Sequence, residues 1–195
     1  MLYKQVYPVI QKQAIKVYDM VHIRNSERIT DIFKIIYNKY IQIGGKSMST
    51  PFKRILYGGD YNPNQWSKDV WQEDMRIFKD AHINTATINV FSWAKIQPSE
   101  HEYYFDELDE IVDMLSKENY DIVFATSTAA LPGWMVRKYP EVMFTDYEGR
   151  QHKFGGRHNA CPNSFVFKHY ARELAYKLAE RYADNPHVTC WHVSN

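Results

Sequence analysis

Residues 85–126 read TATINVFSWAKIQPSEHEYYFDELDEIVDMLSKENYDIVFAT, and this stretch decides the fold. Its two ends, Thr85 to Phe91 and Asp121 to Thr126, are short apolar runs of strand length. Between them Leu108, Ile111, Val112 and Leu115 recur at helical spacing behind Asp106, a residue suited to capping a helix. A strand, an amphipathic helix and a second strand in that order imply parallel pairing through a right-handed crossover. The helix can bury its apolar face only on the sheet.

The same rhythm continues outward. Upstream, Arg54-Ile55-Leu56-Tyr57 predicts a first strand ended by Gly58-Gly59, and Trp71, Met75 and Phe78 mark a helix over Val70 to Ala81. Asp69, Glu73 and Asp74 lie near its start, where acids suit the helix dipole. Downstream, a long irregular stretch carries LPGWMVRKYP and Gly155-Gly156, then Ser164 opens a helix with Tyr170, Leu174 and Leu178 on one face. His187 to Val193 predicts the fourth strand. A doubly wound sheet is disfavoured, because no G-x-G-x-x-G follows the first strand; Gly58-Gly59-Asp60-Tyr61-Asn62-Pro63 stands there instead. Long polar and aromatic segments follow each strand, whereas helix-to-strand connections such as Asp80 to Thr85 are short. That asymmetry is expected when one rim of a barrel carries the site. The fold class read from the sequence is therefore α/β, the N-terminal half of a (β/α)8 TIM barrel, with about four parallel strands and intervening helices.

With 195 residues, one ordinary globular core is the default. The net charge of +1, with lysines and acids interspersed, gives no electrostatic footprint for nucleic acid or an anionic membrane. A small or neutral ligand fits better. Cys161 and Cys190 are too few for a disulfide framework, and the first residues lack the uninterrupted apolar run of a signal peptide, so a cytoplasmic location is expected. Residues 1–47 carry eight Lys/Arg against three acids, and Ile29, Ile32, Phe33, Ile36 and Tyr40 follow a helical spacing. They are read as an N-terminal extension, helical or non-native, and residues 48–195 as a barrel domain incomplete at its C-terminus.

At the proposed rim stand Asp60, Tyr61, Asn62, Gln65, Ser92, Trp93, Thr126, Thr128, Arg157 and Asn195. Neutral polar groups beside flat rings suit a sugar, whose faces stack and whose edges offer hydroxyls. Singly, each of these residues also suits a turn or a helix cap.

Five segments carry a more specific signal: YGGDYNPNQW (57–66), NVFSWAKIQPSE (89–100), ATSTAALPGWMVRKYPE (125–141), FGGRHNACPNS (154–164) and WHVSN (191–195). Together they resemble the N-terminal region of glycoside hydrolase family 42, the retaining β-galactosidases, over about residues 55–195. The resemblance implies a β-galactoside substrate, no organic cofactor and a homo-oligomeric complete enzyme. It places Arg157 against the galactosyl unit and Asn195 in the Asn-Glu pair at the end of the fourth strand. There an amide bonds the hydroxyl next to the anomeric carbon, a bond that strengthens in the oxocarbenium-like transition state. Retention needs two carboxyl groups about 5–5.5 Å apart. The resemblance places both beyond Asn195, so no catalytic residue is assigned here and the segment alone is expected to be inactive. Asp60, Glu100, Glu141 and Asp146 match no catalytic position and are read as turn, cap or surface residues. Cys161 stands where some members supply one ligand of a four-cysteine zinc site, although a structural thiol is the favoured reading and no metal site is assigned. Cys190 reads as core. A fragment of another retaining β-glycosidase and a non-catalytic half-barrel remnant stay open as alternatives.

Overall fold

The computed structural model describes Phe52 and residues 54–193. Residues 1–47 and Asn195, on which two of the sequence readings fall, lie outside the described residues. Four strands alternate with helices in the order β1 (Gly58–Asp60), α1 (Lys68–Asp80), β2 (Thr85–Ile88), α2 (Trp93–Ile96), α3 (Asp106–Lys117), β3 (Asp121–Ala125), α4 (Gly133–Lys138), α5 (Phe165–Tyr182) and β4 (Val188–His192). The sheet order is β1-β2-β3-β4, and each neighbouring pair is parallel.

The helix stripes read from the sequence face the sheet. Leu108, Ile111, Val112 and Leu115 of α3 are all buried, as are Trp71 and Met75 of α1 and Leu174 and Leu178 of α5. They close on Ala86, Ile88, Ile122 and Phe124, which point to the helical side of β2 and β3. Phe124 is the centre of this layer, with ring centroids 4.7 Å from Tyr182 and 5.1 Å from Trp191. Full burial of such a side chain contributes roughly 1.5–3 kcal/mol. The alternate positions Thr87, Val123 and Cys190 share a row on the opposite face and are half-buried. Between β3 and β4 the register slips at Ile122/Val123, where Thr189 is the extra residue of a bulge.

Several boundaries differ from the sequence reading: β2 ends at Ile88 rather than Phe91, and the stretch read as irregular contains α4. Arg54 to Tyr57 is not a strand: Ile55 and Tyr57 are 88% and 62% exposed. Asn84 occupies that backbone instead, its Nδ2 donating to Ile55 O and its Oδ1 accepting from Tyr57 N. The strand is formed by the glycines that were read as its end. A Cβ on Gly58 would lie 1.9 Å from Thr85 O, so β1 can pair with β2 only if that residue has no side chain. Asp106 is the first residue of α3 rather than its cap, and Asp106, Glu107 and Asp109 together place acids in the first turn. Ser164 does cap α5, its Oγ accepting from Phe167 N at 3.3 Å. Among the described residues no helix is long and apolar enough to cross a membrane.

Candidate active-site rim

The C-terminal ends of the strands are joined by short, specific contacts. After β1, a 3-10 turn at Pro63–Gln65 is held by Trp71 Nε1 donating to Pro63 O at 2.7 Å. Asn64 Nδ2 reaches across to Ser92 Oγ, 3.0 Å away. Tyr61 turns inward, its hydroxyl donating to Asp74 Oδ2 at 2.9 Å, and burial pushes its pKa well above the ordinary phenol range. After β2, Trp93 is fully buried and its Nε1 donates to Gln97 Oε1. Neither Tyr61 nor Trp93 therefore offers a free ring to a sugar, although the sequence grouped both with the rim. Gln97, also buried, accepts from Trp134 Nε1 on its backbone oxygen, so one glutamine anchors two indoles. A cavity of about 250 Å³ flanks this corner, lined in part by Asn64, Asn89, Ser92, Lys95, Tyr104 and Glu107.

After β3, Thr126 Oγ1 and Thr128 Oγ1 lie 3.0 Å apart, and Thr126 N donates to His192 O of β4. The segment between α4 and α5 then folds back on itself through antiparallel bridges Met143 to Ala160 and Thr145 to Gln151. At its turn Asp146 accepts from the backbone of Glu148 and Arg150, the turn role read for it, and these bonds hold its carboxyl below the ordinary range. Asn159 Nδ2 donates to Lys153 O, and a Cβ on Gly156 would stand 2.7 Å from that same nitrogen. The segment docks on the rim where His158 N donates to Ala129 O at 2.9 Å. Arg157 precedes that anchor. It is exposed, and among the described residues it makes no ion pair or side-chain hydrogen bond. Burial, and then the neighbouring Arg157 charge, lower the pKa of His158 and favour its neutral form.

A family model described as Beta-galactosidase, for glycoside hydrolase family 42, matches residues 60–195. The chain belongs to glycoside hydrolase family 42. Beta-galactosidase LacZ of Lactobacillus acidophilus is 52% identical over 146 residues, which is 75% of this chain and 22% of that protein. Beta-galactosidase BgaA of a Planococcus species is 54% identical over 143 residues, 73% of this chain and 21% of that protein. Among solved structures, a beta-galactosidase from Bacillus circulans sp. alkalophilus superposes with a TM-score of 0.73 at 57% identity, over 76% of this chain and 22% of that one. This family 42 chain thus spans about a fifth of the length of the relatives it matches, and its four strands correspond to the N-terminal part of their TIM barrel.

The carboxylates of this family 42 segment are mostly committed to structure. Glu100 accepts from Tyr139 Oη at 2.7 Å, from Tyr170 Oη and from Lys138 Nζ, and its side chain is only 13% exposed. The Lys138 bond first, then the two tyrosines, hold its pKa down at about 2. This carboxyl ties the loop after β2 to α4 and α5, a part-buried bracing role that its place in a polar run does not disclose. Cys161 is a half-buried free thiol. Among the described residues no group of three or more His, Cys, Asp or Glu converges as a metal site, so the donors present do not by themselves make a zinc centre. Cys190 sits half-buried in β4 with its thiol pKa raised by burial. Sequence reasoning missed Asn89, Ser127 and Gln97, which knit the rim together; an Asn ending a strand, tolerant of left-handed backbone, was the available signal for the first.

Proposed function

We propose that these residues form part of a retaining β-galactosidase that hydrolyses terminal non-reducing β-D-galactose residues, with Arg157 and Asn195 contacting the galactosyl unit. The observation carrying this reading is the 52–57% identity to proteins named beta-galactosidases across the barrel segment. Arg157 suits its role because its planar guanidinium, free of ion pairs among the described residues, can give parallel hydrogen bonds to adjacent sugar oxygens. Asn195 bonds the hydroxyl beside the anomeric carbon. Both carboxyl groups come from residues after Asn195: one protonates the leaving oxygen, the other attacks the anomeric carbon, and water then hydrolyses the glycosyl-enzyme. Residues 48–195 alone supply neither group and are inactive. The complete enzyme is a cytoplasmic homo-oligomer that needs no organic cofactor and binds neither nucleic acid nor membrane, and residues 1–47 are an appendage to the barrel domain.

Reading the gene past Asn195 and assaying the full-length product tests this. The expected result is a Glu codon next, in frame, and turnover of a chromogenic β-galactoside well above that of the β-glucoside and β-mannoside. A stop codon at that point supports a remnant instead, and preference for either other glycoside replaces the substrate assignment.

A further inference from the structure

Asn89, just beyond β2, and Ser127, just beyond β3, both adopt left-handed backbone angles, with φ of 68° and 60°. Such conformations are costly outside glycine and concentrate where surrounding structure over-determines them. Each residue holds the other's segment. Asn89 Nδ2 donates to Ala125 O at 2.9 Å, and Ser127 Oγ donates to Asn89 O. They are 4% and 1% exposed, so water competes for neither bond. The Oδ1 of Asn89 is buried without a partner among the described residues.

The turn that begins at Ser127 continues to Ala129, whose carbonyl accepts from His158 N, one residue after Arg157. Because Arg157 has no ion pair among the described residues, its placement depends on the backbone beneath it. Hydrogen bonds within residues 144–159 shape that loop and Gln151 Nε2 ties it to Pro140 O, while the Ala129 bond is the one that docks it beside Arg157.

We propose that Asn89 and Ser127 form a positioning latch that fixes the turn after β3 and, through the Ala129 carbonyl, the loop that aims Arg157 at the substrate. The latch rests on the reading of Arg157 as a sugar contact. Its signature is coupling: loosening the latch should matter only while Arg157 is present to be aimed.

The test uses the full-length polypeptide and kcat/KM for a chromogenic β-galactoside. Asn89→Gly and Ser127→Gly each remove one latch bond while keeping the left-handed backbone accessible. Each is expected to lower kcat/KM about tenfold, equivalent to roughly 1.4 kcal/mol. Arg157→Ala lowers it at least as far. In the Arg157→Ala background, adding Asn89→Gly should cost less than about twofold, because residues acting through one another are not additive. A full tenfold additional loss in that background, as a general loss of folded enzyme would produce, overturns the latch. So does an unchanged kcat/KM in both single latch variants. Should Asn89→Gly fail to fold, Ser127→Gly carries the same comparison with the Asn89 to Ala125 bond intact. Arg157→Ala leaving kcat/KM unchanged refutes the sugar-contact reading itself, a result separate from either outcome above.

Discussion

Gly58 and Gly59 are adjacent in β1, yet a single methyl group added to one or the other should have opposite consequences. At Gly58 the new Cβ meets Thr85 O at 1.9 Å and Thr85 C at 2.9 Å, backbone atoms that cannot rotate away. Relief requires β1 to retreat from β2 by more than an ångström. That retreat breaks the flanking bonds Asn84 N to Tyr57 O and Tyr61 N to Thr87 O, both now 2.8–2.9 Å long. At about 1 kcal/mol for each bond, with a further contribution from the strained remainder of a three-residue ladder, Gly58→Ala should cost about 2–3 kcal/mol. This is roughly a 30- to 150-fold change in the folding equilibrium. At Gly59 nothing stands within 4 Å of a new Cβ. Gly59→Ala is therefore expected to be neutral or to stabilise by up to about 1 kcal/mol, through the narrower unfolded ensemble. Urea titrations of the full-length polypeptide, followed by circular dichroism, measure both. Equal loss in the two variants, or a Gly58→Ala midpoint matching the parent, would refute the claim that close approach of β1 and β2 requires glycine at that position.

Two further outcomes are expected. Leu174 is completely buried under the sheet, so Leu174→Ala should cost about 2–5 kcal/mol and lower the thermal midpoint clearly, as read by a melting curve. Glu100 has a folded-state pKa depressed from 4.5 to about 2. The stability from its charged form is thus fully present above the unfolded value near 4.5 and is lost as pH falls through about 2. Glu100→Gln should accordingly melt below the parent at pH 7, with the gap closing as pH falls from about 4.5 towards 2; a gap independent of pH would mean that packing, not charge, accounts for the loss.

What could be read from the residues depended on whether the signal was local. The α3 stripe was legible because Leu108, Ile111, Val112 and Leu115 face one way for any helix, and every one of them is buried. Strand β1 was misplaced because glycine ordinarily weakens a strand, and only the partner carbonyl of Thr85, 27 residues away, makes glycine the requirement there. Trp93 followed a strand and so grouped with the rim, but its burial is decided by Gln97 and the helices around it. Glu100 looked like one acid in a polar run, since Tyr139 and Tyr170 reach it from elements far along the chain. Membership of family 42 was legible in the motifs, whereas the internal bracing of the rim through Asn89 and Ser127 involves backbone angles that no spacing encodes.

Gln97 receives the indole N–H of Trp93 on its side chain and that of Trp134 on its backbone. The segments 93–97 and 126–134 consequently cannot change length independently, because an insertion in either would pull one indole off its acceptor. Grafting onto this rim should therefore avoid those segments and use the exposed position Tyr147 instead. Tyr147 is almost wholly solvent-facing, while Gly149, with φ of 80°, has to stay glycine. The scaffold thereby separates a doubly braced corner from a single outward-facing side chain that touches none of that bracing.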